Sequence, residues 1–139
     1  MSLSIRNQLS GTVIGVVPGQ VMATVKTRLS GGQEITAAIT REAVEDLALA
    51  GGSGVRVLIK STEVSLATGP VAGISIRNQL PGTVAGIATG AAMASVKVDI
   101  DGGALTAAIT REAVEDLGLA AGTPVVALVK STEISLAIG

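Results

Sequence analysis

Two clusters of polar side chains that could hold a small anion recur in this sequence. The string SIRNQLSGTV begins at Ser4, and the nearly identical SIRNQLPGTV begins at Ser75. In a strand, Ser4 and Arg6 would point to the same face and present a hydroxyl beside a guanidinium. The segment KSTE begins at Lys60 and returns unchanged at Lys130. Hydroxyls and cations are the hydrogen-bond donors that an oxyanion requires.

The candidate anion-binding residues therefore form two equivalent sets, one in each part of the chain. Arginine offers a planar fork of N–H donors and lysine a compact charge. An anion taken out of water by such a set would receive both charge and hydrogen bonds. The residues alone leave the identity of the anion open. The two sets are Ser4, Arg6, Lys60 and Ser61, and at the matching positions Ser75, Arg77, Lys130 and Ser131.

The same side chains also have interpretations that involve no ligand. Each lysine could pair with the glutamate three residues later, as Lys60 with Glu63, on a solvated surface. Ser4 could satisfy the edge of a strand, and Asn7 and Gln8 could make hydrogen bonds at a turn or at the end of a strand. Both interpretations, anion site and polar surface, stay open at this point.

The composition excludes several kinds of catalytic site. The chain of 139 residues contains no His, Cys or aromatic residue. Thiolate catalysis, the usual nucleophile–base pairs and zinc sites built on His or Cys are therefore absent. Acidic residues cluster at Glu42, Glu45 and Asp46, where a predicted helix begins, and there a helix-stabilising surface is favoured over a catalytic pair. We expect no enzyme activity, no catalytic residue and no cofactor.

The charge and hydropathy patterns also limit the partners. Proteins hold single-stranded nucleic acids with aromatic rings in a basic groove. This chain has no aromatic residue, and its net charge is −1. We therefore expect no nucleic-acid partner. No apolar stretch of 18 residues occurs and the N-terminus lacks the pattern of a signal peptide, so we expect a cytoplasmic protein with no membrane partner.

An internal duplication supplies the elements that position the candidate residues. Ser4–Leu29 matches Ser75–Ile100 at an offset of 71 residues, and after one deletion near Gln33 the offset becomes 70. Since 42 of the 65 aligned pairs are identical, the chain consists of two related units. We predict one unit at residues 1–68, a Gly- and Pro-containing linker at 69–73, and a second unit at 74–139.

Each unit is predicted to contain five short strands and one short helix. Alternation of apolar and polar residues marks the second strand, and Thr40 and Thr110 are typical helix N-caps. A helix between the third and fourth strands is the order of an OB-like barrel. The fold class is therefore all-β, with two tandem OB-like five-stranded barrels, each with one short helix. In the first unit the elements are Val13–Val17, Ala23–Leu29, Ile35–Ile39, the helix Arg41–Leu47, Val55–Lys60 and Glu63–Leu66.

The small size of each unit indicates that it is stabilised by packing against other units. A unit of about 70 residues buries a limited core, and the chain has no cysteine to form a disulfide. Val125–Val129 is apolar on both faces of its predicted strand, so the second face needs cover from another barrel. We therefore expect a homo-oligomer.

The repeated strings also carry a family resemblance. SIRNQLSGTV and SIRNQLPGTV resemble the Ser-x-Arg-Asn-Gln-x-x-Gly-x-Val/Ile signature of the Mop domain, the molybdate-binding unit of the molbindins. KSTEVSL and KSTEISL are similar to the closing segment of that domain. Both halves match over nearly their whole length, so the chain resembles a di-Mop molbindin.

The resemblance implies a trimer of such chains that holds molybdate or tungstate between domains. It implies that Ser4 and Arg6 bind from one domain and Lys60 and Ser61 from a neighbour, with Thr40 close by. In the second half the corresponding residues are Ser75, Arg77, Lys130, Ser131 and Thr110. The sequence holds no helix-turn-helix or nucleotide-binding motif, which favours storage and homeostasis of the oxyanion. The alternative is a structural or partner-binding β-repeat protein without a small ligand.

Overall fold

Ten strands and two short helices make up the computed structural model, which describes residues 2–139. Each half contributes five strands, one α-helix and a single 3-10 turn, in the same order. The elements are β1 (Asn7–Pro18), β2 (Met22–Leu29), β3 (Glu34–Thr40), α1 (Arg41–Asp46), β4 (Gly54–Ile59), the 3-10 turn Ser61–Glu63, β5 (Ser65–Ala67), β6 (Asn78–Thr89), β7 (Met93–Ile100), β8 (Gly103–Thr110), α2 (Arg111–Leu117), β9 (Pro124–Val129), the 3-10 turn Ser131–Glu133 and β10 (Ile134–Ala137).

The strands form two antiparallel sheets of five strands, which confirms the predicted all-β fold class. Their orders are β10-β4-β1-β2-β3 and β5-β9-β6-β7-β8. The long strands β1 and β6 each change register once, between Val13 and Gly15 and between Val84 and Gly86. An extra residue at such a bulge bends a strand and increases its twist. Each sheet can therefore curl into a half-barrel.

The last strand of each half belongs to the sheet of the other half. Strand β5 pairs with β9, with Ser65 opposite Leu128, and β10 pairs with β4, with Ile134 opposite Ile59. The sequence analysis did not foresee this exchange, because it assigned all five strands of a half to one barrel. Neither sheet is complete without a strand from the other half.

One of the two apolar clusters spans both halves as a consequence of this exchange. One cluster of buried residues joins Val13 and Val25 of the first half to Leu105, Val129 and Ile134 of the second. A second cluster lies within the second half around Val84, Val96 and Val98. Aliphatic side chains fill both clusters, as a chain without aromatic residues requires.

The structure removes one reason for expecting an oligomer. Strand β9 was predicted to need cover on its second face from another barrel, because both of its faces are apolar. Leu128, on the second face, is already buried within the single chain, while Val126 is half-buried. Leu128 therefore requires no second copy for its cover.

Helix α1 and helix α2 begin as the sequence predicts. The Thr40 side chain accepts a hydrogen bond from the backbone N–H of Ala43, and Thr110 accepts one from Ala113, each at 3.1 Å. Such caps satisfy backbone donors that have no partner within the helix. Gly118 ends α2 in the left-handed conformation at φ 63°, which glycine adopts without steric cost.

Thr27 is a buried polar residue whose counterpart in the second half is Val98. Its hydroxyl oxygen has no hydrogen-bond partner, and both side chains are almost completely buried. Thr27→Val is expected to raise the free energy of unfolding by about 1 kcal/mol, since it removes a buried unpaired hydroxyl at nearly constant shape. The reverse change, Val98→Thr, is expected to lower it. Urea unfolding of both variants tests this, and a less stable Thr27→Val variant would contradict it.

Candidate oxyanion-binding site

One surface cleft of the second half gathers four of the five candidate residues of that half. It has a volume of about 330 Å³ and is lined by Ser75, Ile76, Arg77, Lys130, Ser131 and Thr132. The reason is the pairing of β6 with β9, in which Asn78 lies opposite Val129. The residues just before Asn78 and just after Val129 therefore lie side by side. Four predicted binding residues meet within a single chain.

The first half repeats this arrangement of the backbone. Asn7 at the start of β1 lies opposite Ile59 at the end of β4, so Arg6 and Lys60 occupy neighbouring positions. The side-chain oxygen of Ser61 is buried and has no hydrogen-bond partner. An unpaired buried hydroxyl at this place is free to serve a ligand.

The strand-alternation argument for the first residues of the repeated string was wrong. It placed Ser4 and Arg6 in a strand, but β1 begins only at Asn7. Ser4 and Arg6 precede the strand, in a segment where the Gln8 side chain donates a 3.1 Å hydrogen bond to the carbonyl oxygen of Ile5. The same contact recurs between Gln79 and Ile76, so in both halves the serine and arginine lie in the segment before the strand and share no strand face.

The positively charged side chains of the candidate sites form no ion pair with a carboxylate among the described residues. Among residues 2–139 the ion pairs within 4.0 Å are Arg28–Glu34, Arg41–Glu45 and Arg111–Glu115. The alternative in which Lys60 pairs with Glu63 is therefore wrong for this structure. Arg6, Arg77, Lys60 and Lys130 are all exposed. Two uncompensated positive charges beside each other favour a doubly charged anion.

Thr40 and Thr110 lie apart from these four-residue sets within one chain. Thr110 does not line the second-half cleft. Thr40 borders a different depression together with Gln20, Val21 and Arg41, and its hydroxyl accepts the helix-capping hydrogen bond described above. The fold of a single chain thus brings neither threonine into the second-half cleft.

Two asparagines of the repeated string join the halves. The Asn78 amide group accepts a 2.8 Å hydrogen bond from the backbone N–H of Thr36 and donates a 2.9 Å bond to its carbonyl oxygen. Asn7 makes the same pair of bonds, both 2.8 Å, with the backbone of Thr106. We name these contacts the inter-half bridges. They confirm the simpler interpretation of Asn7 as a residue that makes hydrogen bonds at a strand end.

The second inter-half bridge also touches the cleft. The Nδ2 atom of Asn78 lies 3.4 Å from the Oγ atom of Ser131. Asn78 is 3 % exposed, so its amide fixes the adjacent Arg77 and Ser131 relative to strand β3 of the other half. The presence of the asparagine in both copies of the string was a signal that it has a structural role. The sequence did not indicate which strand it contacts.

Two further features concern the acidic side chains and the helices of the described residues. Residues 2–139 hold no group of three acidic side chains arranged to bind a metal ion. No helix within that range is long and apolar enough to cross a membrane.

Both halves match one protein-family model, the TOBE domain, over residues 3–66 and 74–136. The matches cover most of the chain. The chain belongs to the TOBE-domain family. The tandem arrangement agrees with a crystal structure of the cytoplasmic molybdate-binding protein ModG with molybdate bound, which superposes with a TM-score of 0.97 over 100 % of both chains at 38 % identity. The predicted membership in the Mop-domain family, as a tandem chain of the ModG type, is confirmed.

Curated relatives of this TOBE-domain chain include longer proteins. The molybdenum transport protein ModE of Herbaspirillum seropedicae is 38 % identical over 141 residues, which cover 99 % of this chain and 52 % of the relative. The molybdenum-pterin-binding protein MopB of Rhodobacter capsulatus is 38 % identical over 137 residues, which cover 97 % of this chain and 51 % of the relative. The chain spans about half the length of these relatives.

Proposed function

We propose that this TOBE-domain protein is a non-enzymatic binding protein for molybdate that also accepts tungstate. The observation that carries the proposal is the second-half cleft, in which Arg77, Lys130 and two serine hydroxyls meet with no carboxylate partner for either cation. The likeness to molybdate-bound ModG along the whole chain supports the same ligand.

The chemistry of the cleft suits a tetrahedral dianion. Arg77 can donate two parallel N–H bonds to neighbouring anion oxygens, and Lys130 supplies a second positive charge. Hydroxyl donors from Ser75 and Ser131 complete the set. The oxyanion keeps its own four oxygens, so the metal atom needs no bond from the protein. Because sulfate presents similar acceptors, the size of the cleft must provide the preference for the larger anion.

The first half is proposed to form an equivalent site from Ser4, Arg6, Lys60 and Ser61. Thr40 and Thr110 are proposed to lie close to these sites in a homotrimer of such chains, as the family resemblance implies. Exposed apolar side chains at Val17 and Val21, which are 69 % and 73 % exposed, support self-association. The mass of the particle in solution, measured by light scattering, tests the trimer.

The biological role proposed for the chain is storage and homeostasis of the oxyanion in the cytoplasm. Residues 1–68 and 74–139 are proposed as the two binding units and residues 69–73 as their linker. Because the units exchange their last strands, both sites are expected to form together when the chain folds.

Thermal unfolding with added oxyanions tests the proposed function. A ligand that binds only the native state stabilises it by about 2.7 kcal/mol per site at 100-fold excess over Kd. Molybdate and tungstate are therefore expected to raise the melting temperature, and sulfate at the same concentration and ionic strength to raise it much less. Equal melting temperatures with and without molybdate would instead favour the alternative, a structural β-repeat protein without a small ligand.

A further inference from the structure

Lys26 is a charged residue outside the proposed sites that lies on the outer face of the first sheet. On strand β2 it is opposite Gly15 of β1 and Thr36 of β3. A depression of about 370 Å³ is lined there by Gly15, Val17, Thr24, Lys26 and Thr36. No carboxylate of residues 2–139 lies within 4.0 Å of Lys26, whereas the nearby Arg28 is paired with Glu34 at 3.3 Å. Lys26 is thus an uncompensated cation.

The neighbour of Lys26, Thr36, connects this depression to the cleft of the other half. Thr36 is the residue whose backbone forms the inter-half bridge with Asn78, and Asn78 in turn contacts Ser131. Strand β3 is the edge strand of its sheet, so strand β3 and the Asn78 side chain lie between Lys26 and Ser131 of the cleft. One strand spacing of about 4.8 Å and two hydrogen bonds of 2.9 and 3.4 Å make this separation on the order of 10 Å, roughly one Debye length at 0.1 M salt.

The second half places a lysine in the same way. Lys97 lies opposite Gly86 and Thr106, and Thr106 forms the inter-half bridge with Asn7. The lysine is present in both halves, although the residue two positions later is Arg28 in the first half and Asp99 in the second. In the second half Asp99 projects from the same strand face two positions later, so the field of Lys97 is partly offset.

We propose that each oxyanion cleft receives a third positive charge from the opposite half of the chain. Lys26 serves the cleft of Arg77 and Lys130, and Lys97 serves the cleft of Arg6 and Lys60. This inference rests on the proposed function. The lysines act through their field and not by contact, so they favour capture and retention of a dianion. A unit charge about 10 Å from a dianion in water changes affinity by about fourfold at low ionic strength.

A crossed set of variants separates this inference from a general effect of charge. In one background Arg6→Gln and Lys60→Gln disable the first cleft, and in the other Arg77→Gln and Lys130→Gln disable the second. Lys26→Gln is then added to each, and molybdate affinity is measured by equilibrium dialysis at low and high salt. We expect Lys26→Gln to weaken binding about fourfold only where the second cleft remains, with the effect fading at high salt.

Two further variants serve as controls for the crossed pattern. Lys26→Arg keeps the charge and should retain affinity. Lys97→Gln should show the opposite pattern, weakening binding only where the first cleft remains, and by a smaller factor because of Asp99. In the otherwise intact chain, Lys26→Gln should weaken one class of sites and leave the other unchanged, which provides a second measurement.

The outcomes distinguish this inference from the function on which it rests. If the intact chain binds molybdate and Lys26→Gln has no effect, or the same effect in both backgrounds, the third-charge inference is overturned alone. If the folded wild-type chain does not bind molybdate, the proposed function is overturned and the inference with it.

Discussion

Replacing Arg6 and Arg77 together with glutamine is expected to weaken molybdate binding at each site by about 10- to 100-fold. A hydrogen bond to a charged group contributes about 1.5–3 kcal/mol, and each 1.4 kcal/mol is a factor of ten in Kd. Both arginines are exposed and take part in no ion pair among the described residues. The fold should therefore persist, and isothermal titration calorimetry with molybdate measures the loss directly.

The control for this double variant removes two other positive charges, one from each half. Arg41→Gln with Arg111→Gln deletes guanidinium groups that bind Glu45 and Glu115 at 3.0 Å and 3.1 Å on the helices. These side chains follow Thr40 and Thr110 but lie outside the four-residue sets, so affinity should fall much less than in the Arg6→Gln, Arg77→Gln protein. An Arg6→Gln, Arg77→Gln protein with wild-type affinity would show that the anion, if bound, sits elsewhere.

Removal of both inter-half bridges is expected to have the largest effect on stability. Asn7→Ala leaves the backbone N–H and carbonyl oxygen of Thr106 without partners, and Asn78→Ala does the same to Thr36. An unsatisfied buried polar group costs about 1–3 kcal/mol. We therefore expect each substitution to lower the free energy of unfolding by about 2–4 kcal/mol, as measured by denaturant titration.

The neighbouring glutamines provide the matched control for the bridges. Gln8 and Gln79 are exposed, and their side-chain amides donate to the carbonyl oxygens of Ile5 and Ile76. Gln8 also accepts a 3.1 Å hydrogen bond from the guanidinium of Arg56. Gln8→Ala with Gln79→Ala should change stability by less than about 1 kcal/mol in total. Equal stability losses in the asparagine and glutamine variants would contradict the role assigned to the bridges.

Local sequence signals predicted the order of the elements and the helix starts, but not every strand bound, since β1 runs from Asn7 to Pro18 and not only over Val13–Val17. Thr40 and Thr110 identified the helix starts, and the alternation of β2 matches its buried and exposed positions. The candidate residues of the second cleft were predicted from the repeat itself, because two copies in different surroundings kept the same donors. These features depend on residues close in sequence, and local patterns are sufficient to reveal them.

The exchange of strands between halves could not be predicted in this way. Strand β5 contains Ser65-Leu66-Ala67, and β10 contains the same three residues at Ser135-Leu136-Ala137. Two identical strands fit either sheet equally well as far as their own sequence is concerned. The choice between sheets depends on the path of the connecting segments, which no local period encodes. The partners of Asn7 and Asn78 were missed for the same reason.

The meaning of the repeated Ser-Ile-Arg-Asn-Gln string changes with the structure. Its serine and arginine precede the strand, in a segment where the glutamine side chain donates a hydrogen bond to the isoleucine carbonyl oxygen. Its asparagine, almost completely buried, holds the backbone of the opposite half. The string therefore combines the proposed anion donors with the contact that joins the two halves.

The most direct test of the proposed function is equilibrium dialysis with molybdenum quantified in the protein compartment. The wild-type chain is predicted to take up molybdate to saturation in the presence of excess sulfate. A folded variant with glutamine at Arg6, Lys60, Arg77 and Lys130 is predicted to lose most of that uptake. Absence of saturable uptake by the folded wild-type chain, or undiminished uptake by the variant, would contradict the proposal that these clefts bind molybdate.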